Sequence, residues 1–102
     1  GLIPSGTSYV TITSDDANKI ATLPTAAIGN VIRIYVGATG IEIRTPAASN
    51  VTINNVDSDG TNELAIPATS LVTCVCTGTS SWIVTAVDEL GAAIAALVPD
   101  AA

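Results

Sequence analysis

The chain has 102 residues, a formal net charge of −6, 48% hydrophobic residues and only 12% charged ones. That length fits one domain, and the absence of His removes a Ser–His or Cys–His pair, an imidazole metal ligand and the usual near-neutral general base. Three cations against nine anions leave nothing to neutralise a phosphate backbone, so nucleic acid is not an expected partner.

Fourteen Thr, twelve Ile and ten Val point to strands, because β-branched side chains are stiff at χ1 and pack well on a pleated surface. Residues 1–8 are rich in Gly, Pro and Ser with one apolar pair, Leu2 and Ile3, and read as an arm without core contacts of its own. Position 1 is Gly and not Met, which reads as a fragment or, the preferred reading, as an initiator Met removed; in that case Gly1 to Ser5 formally approaches a myristoylation pattern that nothing else in the chain supports. Residues 8–14 alternate, with Val10 and Ile12 on one face, as in a half-buried strand. Residues 15–19 form a polar turn before a short apolar stretch, 20–23, that Pro24 ends.

The clearest strand is 31–36, with Ile32, Ile34 and Val36 on one face and Arg33 and Tyr35 on the other. After a loop at 37–40, residues 41–44 alternate again, and the two runs read as a hairpin in which Arg33 or Arg44 pairs with Glu42. Residues 51–54 give another short strand. In 71–77, Val72, Cys74 and Cys76 share one face while Leu71 and Val75 occupy the other. A strand apolar on both faces is covered on both, by its own chain or by a neighbour. Residues 82–87 complete a second hairpin after the 78–81 turn. From Asp88 the period changes: Leu90, Ile94, Leu97 and Val98 recur at helical spacing until Pro99, which predicts a short helix capped by Asp88. No stretch reaches the ~18–20 apolar residues of a membrane span, so no membrane partner is expected.

Candidate sites are few. Asp57-x-Asp59-Gly60-Thr61-x-Glu63 resembles the start of a calcium loop, but position 12 is Ala68 and the flanks look like strands, so a polar turn is the simpler reading. Asp15 and Asp16 are adjacent on a turn and read as solvated, with Asp15 capping the turn around Lys19. Ser80 and Ser81 have no His to serve them. Cys74 and Cys76 lie roughly 6.5–7 Å apart on one strand face, at or beyond the reach of an unstrained disulfide. They read as two small buried hydrophobes in a reducing compartment, or as thiols that several copies could gather round an axis. Trp82 reads as a core or interface anchor. No catalytic constellation survives and no cofactor is implied.

Taken in order, Ile12-Thr13-Ser14-Asp15-Asp16-Ala17-Asn18-Lys19-Ile20, Thr22-Leu23-Pro24, the run from Val36 to Thr45, Asn62-Glu63, Ala65-Ile66-Pro67-Ala68, Cys74-Val75-Cys76-Thr77 and Ser81-Trp82-Ile83 resemble small tailed-bacteriophage structural proteins, the capsid decoration, cement or head-fibre proteins. The likeness spans residues 9–87 and rests on order and spacing. It implies a compact β-sandwich or jelly-roll-like domain, a homotrimer on the outer surface of a virion, made in the host cytoplasm and bound to the major capsid protein, with no catalytic residues to transfer.

The resulting expectation is an all-β chain divided into an arm (1–8), a β domain (9–87) and a C-terminal helix and tail (88–102). Its function is shell stabilisation, with one terminal segment docking on the capsid. Leu2, Ile3, Leu71, Val75, Trp82, Leu90, Ile94, Leu97 and Val98 are the expected interface residues. A fibre-tip or glycan-binding module is the alternative, and it predicts a concave aromatic or polar pocket. A small hydrolase would instead need perturbed carboxylates at Asp57, Asp59 and Glu63.

Overall fold

A computed structural model describes residues 1–46, 50–60, 62–95 and 97–101. Its strands are β1 (Tyr9–Ile12), β2 (Ile20–Thr22), β3 (Val31–Val36), β4 (Ile41–Arg44), β5 (Thr52–Ile53), β6 (Val56–Asp57), β7 (Asn62–Ile66), β8 (Ser70–Cys76), β9 (Ser81–Asp88) and β10 (Asp100–Ala101). They form a β-sandwich: a six-stranded sheet in the order β1-β3-β8-β9-β5-β6 and a four-stranded sheet in the order β10-β7-β4-β2. Three neighbouring pairs run parallel, β1 with β3, β2 with β4 and β5 with β9.

The alternation of the sequence sets what lies between the sheets. Ile32, Ile34 and Val36 of β3, Val72, Cys74 and Cys76 of β8, and Trp82, Val84 and Ala86 of β9 face inward from one sheet. Ile41, Ile43, Leu64 and Ile66 meet them from the other. Each buried Val, Leu or Ile among them contributes about 1.5–3 kcal/mol by leaving water.

Four expectations are corrected. The runs 31–36 and 41–44 are not a hairpin: β3 pairs with β1 and β8, whereas β4 pairs with β2 and β7. A hairpin would put both isoleucine sets on one sheet; instead residues 37–40 carry the chain across, and the two sets face each other. A second crossing, 67–69, packs on the first, with the Thr69 N–H donating to Gly37 O at 2.8 Å. Gly40 is required there, because a Cβ would lie 2.5 Å from Ile66 O. Arg44 accordingly pairs across the strands with Glu63 at 3.7 Å, not with Glu42.

Residues 1–8 are not free of the core. Ile3 is 5% exposed, and the Gly1–Ile3 stretch runs beside β2, with the Ile3 N–H on Thr22 O, the Thr22 N–H on Gly1 O and the terminal amine on Ile20 O. Ile3 is therefore core, not interface, and so is Trp82, which is fully buried. Lastly, the predicted helix at 88–98 is absent among the described residues; Ala96 lies outside them. The Asp88 carboxylate does cap, but it caps a turn, accepting from the Leu90 and Ala92 amides at 2.9 Å each. Gly91 takes φ +81, and the chain doubles back so that Ala93 bridges Val87.

The doubling back has a physical cause. β8 occupies one edge of β9, and β5 is too short to cover the other. Three partners therefore follow one another along that edge. The backbones of Thr52 and Asn54 donate to Ser80 O and Trp82 O. The Asn54 side chain then takes the place of a peptide unit, accepting from the Val84 N–H at 2.8 Å and donating to Val84 O at 3.0 Å. Beyond it the Ile94 N–H donates to Ala86 O and the Asp88 N–H to Ala92 O, both at 2.9 Å. A helix would leave those last two groups of β9 unpaired, at about 1–3 kcal/mol each if buried.

Candidate assembly face

The outward face of the six-stranded sheet is a register grid. Across β3, β8 and β9 the paired positions are Val31, Val75 and Ile83 in one row, and Tyr35, Leu71 and Val87 in another. Between them runs Arg33, Thr73 and Thr85, which Tyr9 of β1 extends. Two apolar rows thus flank a polar one, and Arg33 is the only charged side chain in the grid. Ile83 is 47% exposed and Leu71 37%, so the chain itself does not cover them. Exposed large hydrophobics scattered singly are ordinary, but rows in register are a contiguous patch.

The opposite sheet is different in kind. Glu42 and Arg44 of β4 and Glu63 of β7 alternate with inward residues and so face outward. Glu63 is nevertheless buried, beside Arg44. The Glu42 carboxyl is held above its ordinary range, first by partial burial and then by the charges of Glu63, Asp100 and Asp16. One face of the sandwich is apolar and the other is charged.

The expected interface residues separate into groups. Leu71 and Val75 lie on the apolar face. Leu2, Leu90 and Val98 are exposed elsewhere, Leu90 at 90%, while Ile94 and Leu97 are half-buried and packed against the core. Val31, Tyr35, Ile83 and Val87 belong to the face and were missed, because a row depends on strand register. The apolar second face of 82–87 was the available signal.

The other candidates do not converge. Asp57 accepts from the Asp59 N–H and Asp59 from the Asn50 N–H, while Glu63 turns to Arg44; Thr61 lies outside the described residues. Among the described residues no three His, Cys, Asp or Glu side chains gather as a metal site. Asp16, not Asp15, caps its turn, accepting from the Asn18 N–H at 2.9 Å, and Asp15 pairs with Lys19 at 3.6 Å. Ser81 Oγ lies 2.8 Å from Thr77 Oγ1. Cys74 and Cys76 are free and buried between the sheets, which puts them beyond the reach of a neighbouring copy. Burial pushes the Cys74 thiol up to about 12, so it stays protonated and unreactive. The Trp82 Nε1–H finds no acceptor among the described residues.

The chain matches no protein-family model, no curated protein and no solved structure.

Proposed function

We propose that this chain is a structural virion protein, a capsid decoration or cement protein that binds the major capsid protein on the outer shell of a tailed phage as a homotrimer. The observation that carries the reading is the apolar face of the six-stranded sheet, with Val31, Tyr35, Leu71, Val75, Ile83 and Val87 in two rows around a single cation. Such a face loses about 25 cal/mol per Å² of stabilisation for as long as it stays in water, and contact with other subunits recovers it. Asp57, Asp59 and Glu63 do not converge as a hydrolase would need, and the resemblance of residues 9–87 to decoration proteins supplies the setting. The glycan-binding alternative draws no support from a concave aromatic site, since Trp82 is buried in the core.

Two measurements test the reading. Sedimentation velocity at micromolar concentration is expected to give a trimer, and the double variant Leu71→Lys/Ile83→Lys a folded monomer. Antibody raised against the chain is expected to label the outer surface of intact virions of the encoding phage in electron micrographs. A stable wild-type monomer, or unlabelled virions, would overturn the proposal.

A further inference from the structure

The six-stranded sheet ends at β1, and the far edge of β1 carries no strand. The Arg33 N–H donates to Ser8 O at 2.9 Å and the Gly37 N–H to Ile12 O at 3.0 Å. In a parallel ladder those bonds turn the peptide groups of Val10 and Ile12 towards β3. The N–H and C=O of Tyr9 and Thr11 therefore point away from the sheet, and none of the four has a partner among the described residues. β1 reads Tyr-Val-Thr-Ile. It has no Lys, no Pro and no charge of any kind, so it lacks the devices that blunt an exposed edge. The equivalent edge of the other sheet, β2, is covered by the Gly1–Ile3 stretch.

Beside the end of β1 lies a groove of about 540 Å³. Its walls are mainly aliphatic, from Leu2, Ile3, Ile12, Ile20, Ala21 and Ile41, with polar groups of Gly1, Thr13 and Ser14 among them. At its rim Asp15 and Lys19 pair with each other, so the mouth offers no unmatched charge from that pair.

We propose that this edge and groove form a binding site for an extended segment of a partner protein, which adds to β1 as a further strand. Backbone hydrogen bonds to Tyr9 and Thr11 would hold the segment. The groove would select aliphatic side chains at alternate positions, because every second residue of a strand points the same way. The volume suits branched side chains and lies within the roughly 300–1,000 Å³ of ligand sites. Pairing with a four-residue strand buries less than the roughly 1,200 Å² of a stable interface. The pairing is therefore a weak, transient contact, as suits a single extended segment. The site does not depend on the chain's place in a virion.

The test uses the full chain and a peptide of alternating Thr and Val with a Lys at each end, followed by NMR. The expected result is saturable binding, exchange of the Tyr9 and Thr11 amides slowed at least tenfold, and shifted methyl signals for Ile12, Ile20 and Ile41. A peptide N-methylated at alternate positions should bind at least tenfold more weakly to the unaltered protein. Thr11→Pro removes an outward N–H and no ladder bond, and should weaken binding tenfold with the thermal midpoint kept. No saturable binding below millimolar peptide, or binding indifferent to N-methylation, would overturn the site. Protection of the same amides that grows with protein concentration, without peptide, would assign the edge to a second copy and overturn it equally.

Discussion

Asn54 sits at φ +50, and Asn55 beside it at φ +69, as the two central residues of the turn that joins β5 to β6. Its side chain serves Val84 twice and also donates to Leu97 O at 2.7 Å, so one amide fixes the edge of β9 and the returning tail together. Asn54→Ala should lower stability by about 2–4 kcal/mol, since three backbone groups lose their partner and Ala tolerates the left-handed region poorly. Thermal unfolding measures the loss. Asn54→Gly removes the backbone strain but not the lost bonds, and should recover only part of it. The inward positions were legible in the sequence, because alternation alone places Ile32, Ile34, Cys74 and Cys76. Asn54 was not legible, because its partners are 30 and 43 residues away and a polar side chain has no periodicity.

At the scale of elements, the β8–β9 pairing was readable: two long runs share a short Gly- and Ser-containing turn and both bury alternate residues. The 31–36 and 41–44 runs carry the same local signal, yet they cross between sheets. A four-residue loop serves either purpose, and the choice rests on which strand edges later segments fill. The C-terminal segment had the spacing of a helix, but an isolated helix shorter than about 12–15 residues is marginal in water. The open edge of β9 offers an extended chain better terms. Gly91 is the hinge of that return, at φ +81 with no atom near an added Cβ. Gly91→Ala should therefore cost about 1–2 kcal/mol by backbone strain alone, without a steric clash. The thermal midpoint should fall by roughly 4–8 °C for each kcal/mol. Hydrogen exchange at Ile94 should quicken more than at Cys74 if the loss is confined to the returning tail.

For the whole molecule, the low charge of the sequence resolves into two unlike surfaces. The apolar grid covers one sheet, and Glu42, Arg44, Glu63 and Asp100 gather on the other. That division needed the register and the sheet assignment, so composition reported the shortage of charge without its geometry. It has a pH signature. Glu42 is held above its ordinary range, so the folded state prefers its protonated form. The contribution of this group is complete below the ordinary carboxylate range and is lost as pH rises through the raised value. Glu42→Gln should accordingly raise the thermal midpoint at pH 7, by less than about 4 °C because the site is partly exposed. The gain should vanish near pH 3, and melting curves at the two pH values check the difference.

The order of strands in the larger sheet has a consequence for how the protein is made. Its two central strands, β8 and β9, leave the ribosome after every other strand of that sheet. Until residue 88 has emerged, β3 lacks its antiparallel neighbour or that neighbour's own support, and the small β5–β6 hairpin has no sheet to join. At about 5–20 residues per second the nascent chain spends several seconds with sparsely charged strand edges unpaired. Strands this sparsely charged are then open to the wrong neighbours until β8 and β9 close the sheet.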